Sequence, residues 1–277
     1  ISKDFSITSY QFGIFLDSAL MIECEDHRIL NLNDSKHMSH TLRDIVSRHT
    51  KIDFVLRSHS SANSRMSYQI VDEEDGHIDD IEEYARQFAD VCISTGAMYA
   101  VPFASNHCHL HKDALQFNQY VQTPLQVKEY FESKKVEMPE LRIMVSGDSW
   151  DSKKGFDLSD EDWFSKEGRS EQLKKYLESN QNRLDLFYKE EAETTIRHSV
   201  IDKYFKRLCD SIPYLLRRML KDCEFTYVLQ SGDSIHCVAS VNIFSGSVRF
   251  HETDVDLDFK RFPIQIVTST FIFKRSI

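Results

Sequence analysis

The chain has 277 residues, enough for one large α/β domain or a domain of about 150 residues with a smaller companion. Its 41% apolar content supports a packed core and excludes a disordered chain, while only 8 glycines exclude a glycine-rich nucleotide-loop protein. The formal net charge of -10 counts against nonspecific nucleic-acid binding and anionic membranes, which both need basic surface.

"FSITSYQFG" and "SALMIECE", within residues 5–25, read as two strands. A turn at Glu25 to His27 leads into "RILNLN", so the second and third strands form a hairpin of apolar run, polar turn and apolar run. Thr41 to Arg48 has helical spacing, with Leu42, Ile45 and Val46 on one side. "KIDFVLRSH" is nearly continuous and apolar, the pattern of a strand covered on both faces. Asp79 to Thr95 predicts a helix: Ile81, Tyr84, Ala85, Phe88, Val91 and Cys92 share a face, and Gly96 stands at the C-cap. "MYAVPFAS" and "LRIMVS" are the next expected strands, the second ending in Gly147-Asp148.

After Trp150 the pattern changes. "DLSDEDWF" predicts a helix start with Ser159 as N-cap and Asp162 at N3. Helical sequence is expected from about Glu161 to Asp222, with Pro213 starting or kinking a helix. From Glu224 onward an antiparallel sheet is expected, with turns at 231–233 and 245–247 and a last strand "FPIQIVTSTFIF". A boundary near Asp160 divides the chain into an α/β domain at 1–160 and an α+β accessory domain at 161–277. The accessory region loosely resembles small lipid-carrier-like modules in outline, and its alternating aromatics read as core. Partner docking or homo-oligomerisation through 161–277 is the expectation. Arg217, Arg218 and Lys221 read as a solvated group at a helix end.

Six scattered cysteines without a C-x-x-C pair are expected to be reduced, and their spacing excludes a zinc ribbon. No apolar run nears the ~18 residues of a membrane span and no signal peptide is visible, so a cytoplasmic location is expected. The chain starts and stops in strand-like sequence and reads as a piece of something longer.

Polar loops follow three expected strands, at 58–64, 105–113 and 146–151. Ligands in α/β folds collect at the C-terminal ends of strands, so these loops would build one site. His107, His109 and His111 are spaced by two and would share one side of an extended segment. They suit a metal site or a polar rim of neutral imidazoles. His59 after its strand is either a ligand or a structural hydrogen-bonder, and Asp148 either a ligand or a turn residue. Ser60, Ser61, Asn63 and Ser64 offer neutral hydrogen-bonding groups; beside Arg57 and Lys36 they could hold a carboxylate or phosphate. No G-x-S-x-G elbow is present to support a serine nucleophile.

The order "SALMIECEDHRILNLND", "IDFVLRSHSSANS", helix, "GAMYAVPFASNH" and "MVSGD" resembles the metallo-β-lactamase fold superfamily over about Phe5 to Asp151. The hallmark of that family is a strand running into H-x-H-x-D-H. In that register His59 takes the first His position, while Ser61, Asn63 and Ser64 replace the second His, the Asp and the last His. Asp148 matches the family's later Asp, and one of His107, His109 and His111 its later His. "YAVPFASNHCHLHKD" and "QYVQTPLQV" are most similar to the lactamase-fold part of CMP-N-acetylneuraminate hydroxylase and its bacterial relatives. Oxygenase activity there depends on a Rieske centre, whose Cys/His ligand set is not found here.

The resemblance implies an αββα sandwich and a metal-dependent hydrolase-like enzyme with an altered site. Its substrate would be polar or anionic and nucleotide- or sugar-linked. His59, the 107–111 histidines and Asp148 would hold Zn, Fe or Mn, with Asp148 and His59 catalytic and a metal-bound water attacking. Ser61, Asn63 and Arg57 would bind the substrate. The competing expectation is a metal-free descendant that binds a ligand or a partner protein.

Overall fold

The computed structural model describes residues 4–11, 18–35, 39–60, 81–104, 107–255, 257–258, 262 and 264–276. Among these the protein is mixed α/β, with seven α-helices and three sheets. It divides into two units, Ile1–Leu177 and Glu178–Ile277.

The first unit is built on a six-stranded sheet in chain order: β1 (Phe5–Gln11), β2 (Ser18–Cys24), β3 (His27–Asn33), β4 (Phe54–Ser58), β5 (Tyr99–Phe103) and β6 (Glu140–Leu141). β1, β2 and β3 pair antiparallel, as the expected hairpin requires. β3, β4, β5 and β6 then run parallel, so their C-terminal ends share one edge.

Register sorts the side chains between the faces. Met21, Leu30, Val55 and Ala100 lie across the ladder from one another and are wholly buried. They pack with Leu42 and Ile45 of α1 (Ser39–Arg48), Phe88 and Cys92 of α2 (Ile81–Thr95), and Val127 and Phe131 of α3 (Pro124–Lys134). On the opposite face, Phe54 and Tyr99 meet Trp150 and Phe156 of a hairpin formed by β7 (Ser149–Asp151) and β8 (Gly155–Asp157). The nearly continuous apolar reading of β4 therefore has its cause: both of its faces are covered.

Three local expectations change. "LRIMVS" pairs only through Leu141; Arg142 N still donates to Ala100 O, then the chain leaves the ladder. Ile143 is buried without pairing, so the apolar run records burial and not strand. Near 160, Asp160 and not Ser159 is the cap, accepting from Asp162 N, and it opens only a short 3-10 turn at Glu161–Phe164. α4 (Lys166–Glu193) starts afterwards, where Ser165 Oγ accepts from Gly168 N at 3.0 Å. A Cβ on residue 168 would collide with the carbonyl oxygen of Asp162, so glycine lets the first turn of α4 close there. The division at Leu177 lies inside α4, beyond the boundary expected near Asp160.

The second unit contains α5 (His198–Ser211), α6 (Tyr214–Met219), β9 (Glu224–Ser231), β10 (Ser234–Asn242), β11 (Val248–His251), β12 (Gln265–Ser269) and α7 (Thr270–Ser276). The sheet order is β11-β10-β9-β12. Both turns stand where expected, between β9 and β10 and between β10 and β11. The sheet is not purely antiparallel, because β12 runs parallel to β9. The expected last strand is half helix: "TFIFKR" forms α7, and Ser269 Oγ accepts from Phe271 N at its start. Phe273 enters the core with Ile201, Phe205 and Leu229, while Phe271 packs edge-on against Phe187. Core packing overrides the strand preference of these aromatics.

Candidate functional site at the ends of the parallel strands

The C-terminal edge of β3, β4 and β5 carries Ser35, then Ser58-His59-Ser60, then the segment from His107. Ser61 and Asn63 lie outside the described residues, as do Lys36 and Ser64. Arg57 turns to α2, donating to Gln87 O at 2.7 Å, and is engaged in holding that helix.

His59 is 2% exposed, and neither ring nitrogen makes a hydrogen bond of good geometry among the described residues. The backbones of Gln122 and Phe103 lie close enough to favour its proton weakly. Burial acts against the proton more strongly, and the charges of Arg169 and His107 add to that, pushing the imidazole down to about 4. His59 is therefore neutral at pH 7. Gln122 is fully buried, and its N donates to Ser60 Oγ at 3.2 Å.

The 107–111 histidines do not share one side. His107 and His109 meet edge to face, with ring centroids 5.3 Å apart. Asn118 clamps the backbone of His109: Oδ1 accepts from its N and Nδ2 donates to its O, both at 2.8 Å. Burial, then His107, pushes the His109 imidazole below its ordinary value, and its Nε2 is buried without a hydrogen-bond partner among the described residues. His111 departs because the chain coils there: its Nδ1 accepts from Asp113 N and caps a 3-10 helix at Lys112–Tyr120.

Asp148 is a loop clamp. Its Oδ1 accepts from Ser159 N and Oγ at 2.8 and 2.6 Å, and its Oδ2 from Val145 N at 2.7 Å. Desolvation pushes its carboxyl up, but the Ser159 hydroxyl and the two backbone amides outweigh it and hold the carboxyl below its ordinary value. These bonds supply the turn-residue reading, and Asp148 is not among the groups acting on His59 or His109. Among the described residues, no three His, Cys, Asp or Glu side chains are grouped to hold a metal ion.

Two residues that the sequence did not single out complete the site. Arg169, in the first turn of α4, is half-buried and lies near both His59 and Cys108. Burial weakens its hold on the proton, and no carboxylate pairs with it among the described residues. Burial likewise pushes the Cys108 thiol up, partly offset by Arg169. Gln122 is the second. The only local trace of Arg169 is the glycine before it, which permits the tight turn but says nothing of where the guanidinium goes.

The fold and the site together define a mixed α/β protein with a cationic, imidazole-lined edge. No family model, curated protein or solved structure matches the chain. No helix among the described residues is long and apolar enough to cross a membrane.

Proposed function

We propose that the first unit, as a metal-free member of a metallo-β-lactamase-like fold, binds a small anionic ligand bearing a carboxylate or phosphate. The observation that carries this reading is the half-buried Arg169, without a carboxylate partner among the described residues, beside the neutral, buried His59. A buried cation keeps its charge only if an anion or water compensates it. Arg169 would take the anion through its fork of N–H donors, and neutral imidazoles would donate one hydrogen bond each. Titration calorimetry with inorganic phosphate, cytidine monophosphate and N-acetylneuraminate tests it. Arg169→Met should weaken binding by about tenfold to a hundredfold, the range for a hydrogen bond to a charged group. If the unsubstituted protein binds none of the three, the reading fails.

A second reading, the metal-dependent hydrolase on a polar, nucleotide- or sugar-linked substrate, is favoured by both ring nitrogens of His59 and Nε2 of His109, which lack hydrogen-bond partners among the described residues. The described donors alone do not complete an ion site. Elemental mass spectrometry after Zn, Mn or Fe loading decides: about one ion per chain, lost in a His107→Ala/His109→Ala/His111→Ala variant, would replace the first reading.

A further inference from the structure

The basic group that the sequence assigns to a helix end sits in a different setting. α6 is a six-residue helix, too short for dipole complementation to explain three cations in and beside it. Its apolar side chains face outward: Tyr214, Leu215, Leu216 and Met219 are 62, 70, 50 and 75% exposed. Phe244, in the turn between β10 and β11, is exposed alongside, with its ring 6.4 Å from that of Tyr214. Asn242 Nδ2 donates to Lys221 O at 3.3 Å and ties that turn to the end of α6. The result is a group of five large exposed apolar side chains from α6 and the turn tied to its end. Isolated exposed leucines are ordinary; a clustered group of this kind marks a surface that is covered in use.

Charge selects what covers it. Between Asp202 and Asp222 the chain has six basic and three acidic residues, in a protein whose formal net charge is -10. Lys206 is neutralised by Asp202 at 2.8 Å and Arg217 faces Asp210 at 3.5 Å, whereas Lys221 and Asp222 are both largely exposed at 3.8 Å, a separation that leaves the lysine charge available. Arg207 and Arg218 are exposed and have no acidic partner among the described residues. An apolar tip with exposed cations in and just after the same helix matches an anionic lipid surface: the apolar groups enter the acyl boundary while the cations meet headgroup phosphates. The chain-wide negative charge does not decide this, because it is screened beyond about 10 Å at ordinary salt.

We propose that α6 and the β10–β11 turn dock the protein reversibly on anionic membranes, with Leu215 and Met219 inserted and Arg218 and Lys221 at the headgroups. The test is flotation of the full chain with phosphatidylcholine vesicles, with and without phosphatidylserine. The protein should float with the phosphatidylserine vesicles, stay behind with phosphatidylcholine alone and be released by salt. Leu215→Glu/Met219→Glu and Arg218→Glu/Lys221→Glu should each weaken binding by about tenfold or more. All four positions are exposed, so circular dichroism should show both variants folded. Failure of the unsubstituted chain to float, or unchanged flotation of both folded variants, overturns the proposal. A dimer in solution that Leu215→Glu/Met219→Glu splits would also overturn it, assigning the tip to a second copy of this chain.

Discussion

Two histidines of the second unit and His59 of the first are placed in opposite ways. In the second unit, His251 Nε2 lies 2.9 Å from Ser240 Oγ, which lies 3.0 Å from Thr226 Oγ1. His236 Nε2 lies 3.2 Å from both the N and the O of Ile196. These imidazoles tie sheet and loops together. In the first unit His59 is more deeply buried, yet its ring nitrogens lack well-formed hydrogen bonds among the described residues. A buried polar group left unbonded costs stability, so a fold keeps one where a ligand completes it. The contrast separates histidines bonded into the structure from one whose ring nitrogens lack well-formed bonds among the described residues.

The largest expected effect concerns pH. The unfolded chain protonates His59 near 6.5, whereas the folded protein resists until about 4. The unfolded state therefore binds more protons between these values, and stability falls as pH drops through that window. The loss from His59 is roughly 3 kcal/mol by pH 4. Urea denaturation from pH 7 to 4 measures it, and His59→Leu should flatten the profile. A profile that keeps its slope in this variant would mean that His59 is bonded or solvated.

At pH 7 the pair of substitutions should diverge. His251→Ala removes a bond that Ser240 uses and should cost about 1–3 kcal/mol. His59→Leu removes unbonded nitrogens while keeping an apolar side chain, and should change stability by less than about 1 kcal/mol. Equal losses, measured by thermal denaturation, would erase the distinction between the two regions. The smallest effect concerns the scaffold of the site. Thr123 caps α3, accepting from Gln126 N, with a reciprocal bond from Thr123 N to Gln126 Oε1. Thr123→Ala should cost about 1 kcal/mol and leave the pH slope unchanged.

Much of the fold was legible because its signals are local. The alternation and turns of β1 to β3, the helical stripe of α2 and the two turns after Glu224 all follow from neighbours within a few positions. Legibility failed where one pattern permits two outcomes. "LRIMVS" and "TFIF" are apolar runs that a strand, a helix or a buried coil can each satisfy, and packing partners elsewhere chose. The site divides in the same way. His59, His107 and His109 stand after the ends of β4 and β5, as their places in the sequence indicate. His111 and Asp148 could not be assigned, because a cap and a ligand use the same side chains.

The sequence by itself determined the order of strands and helices through the first sheet and the residue types that follow β4 and β5. Those properties are set by periodicity and residue type, which act over a turn or a strand. Tertiary structure alone decided that the charge of Arg169 acts on His59, that Asp148 clamps its own loop and that the apolar side chains of α6 are exposed. Each depends on groups far apart in the chain, whose meeting is fixed by packing and burial and leaves no local pattern to read.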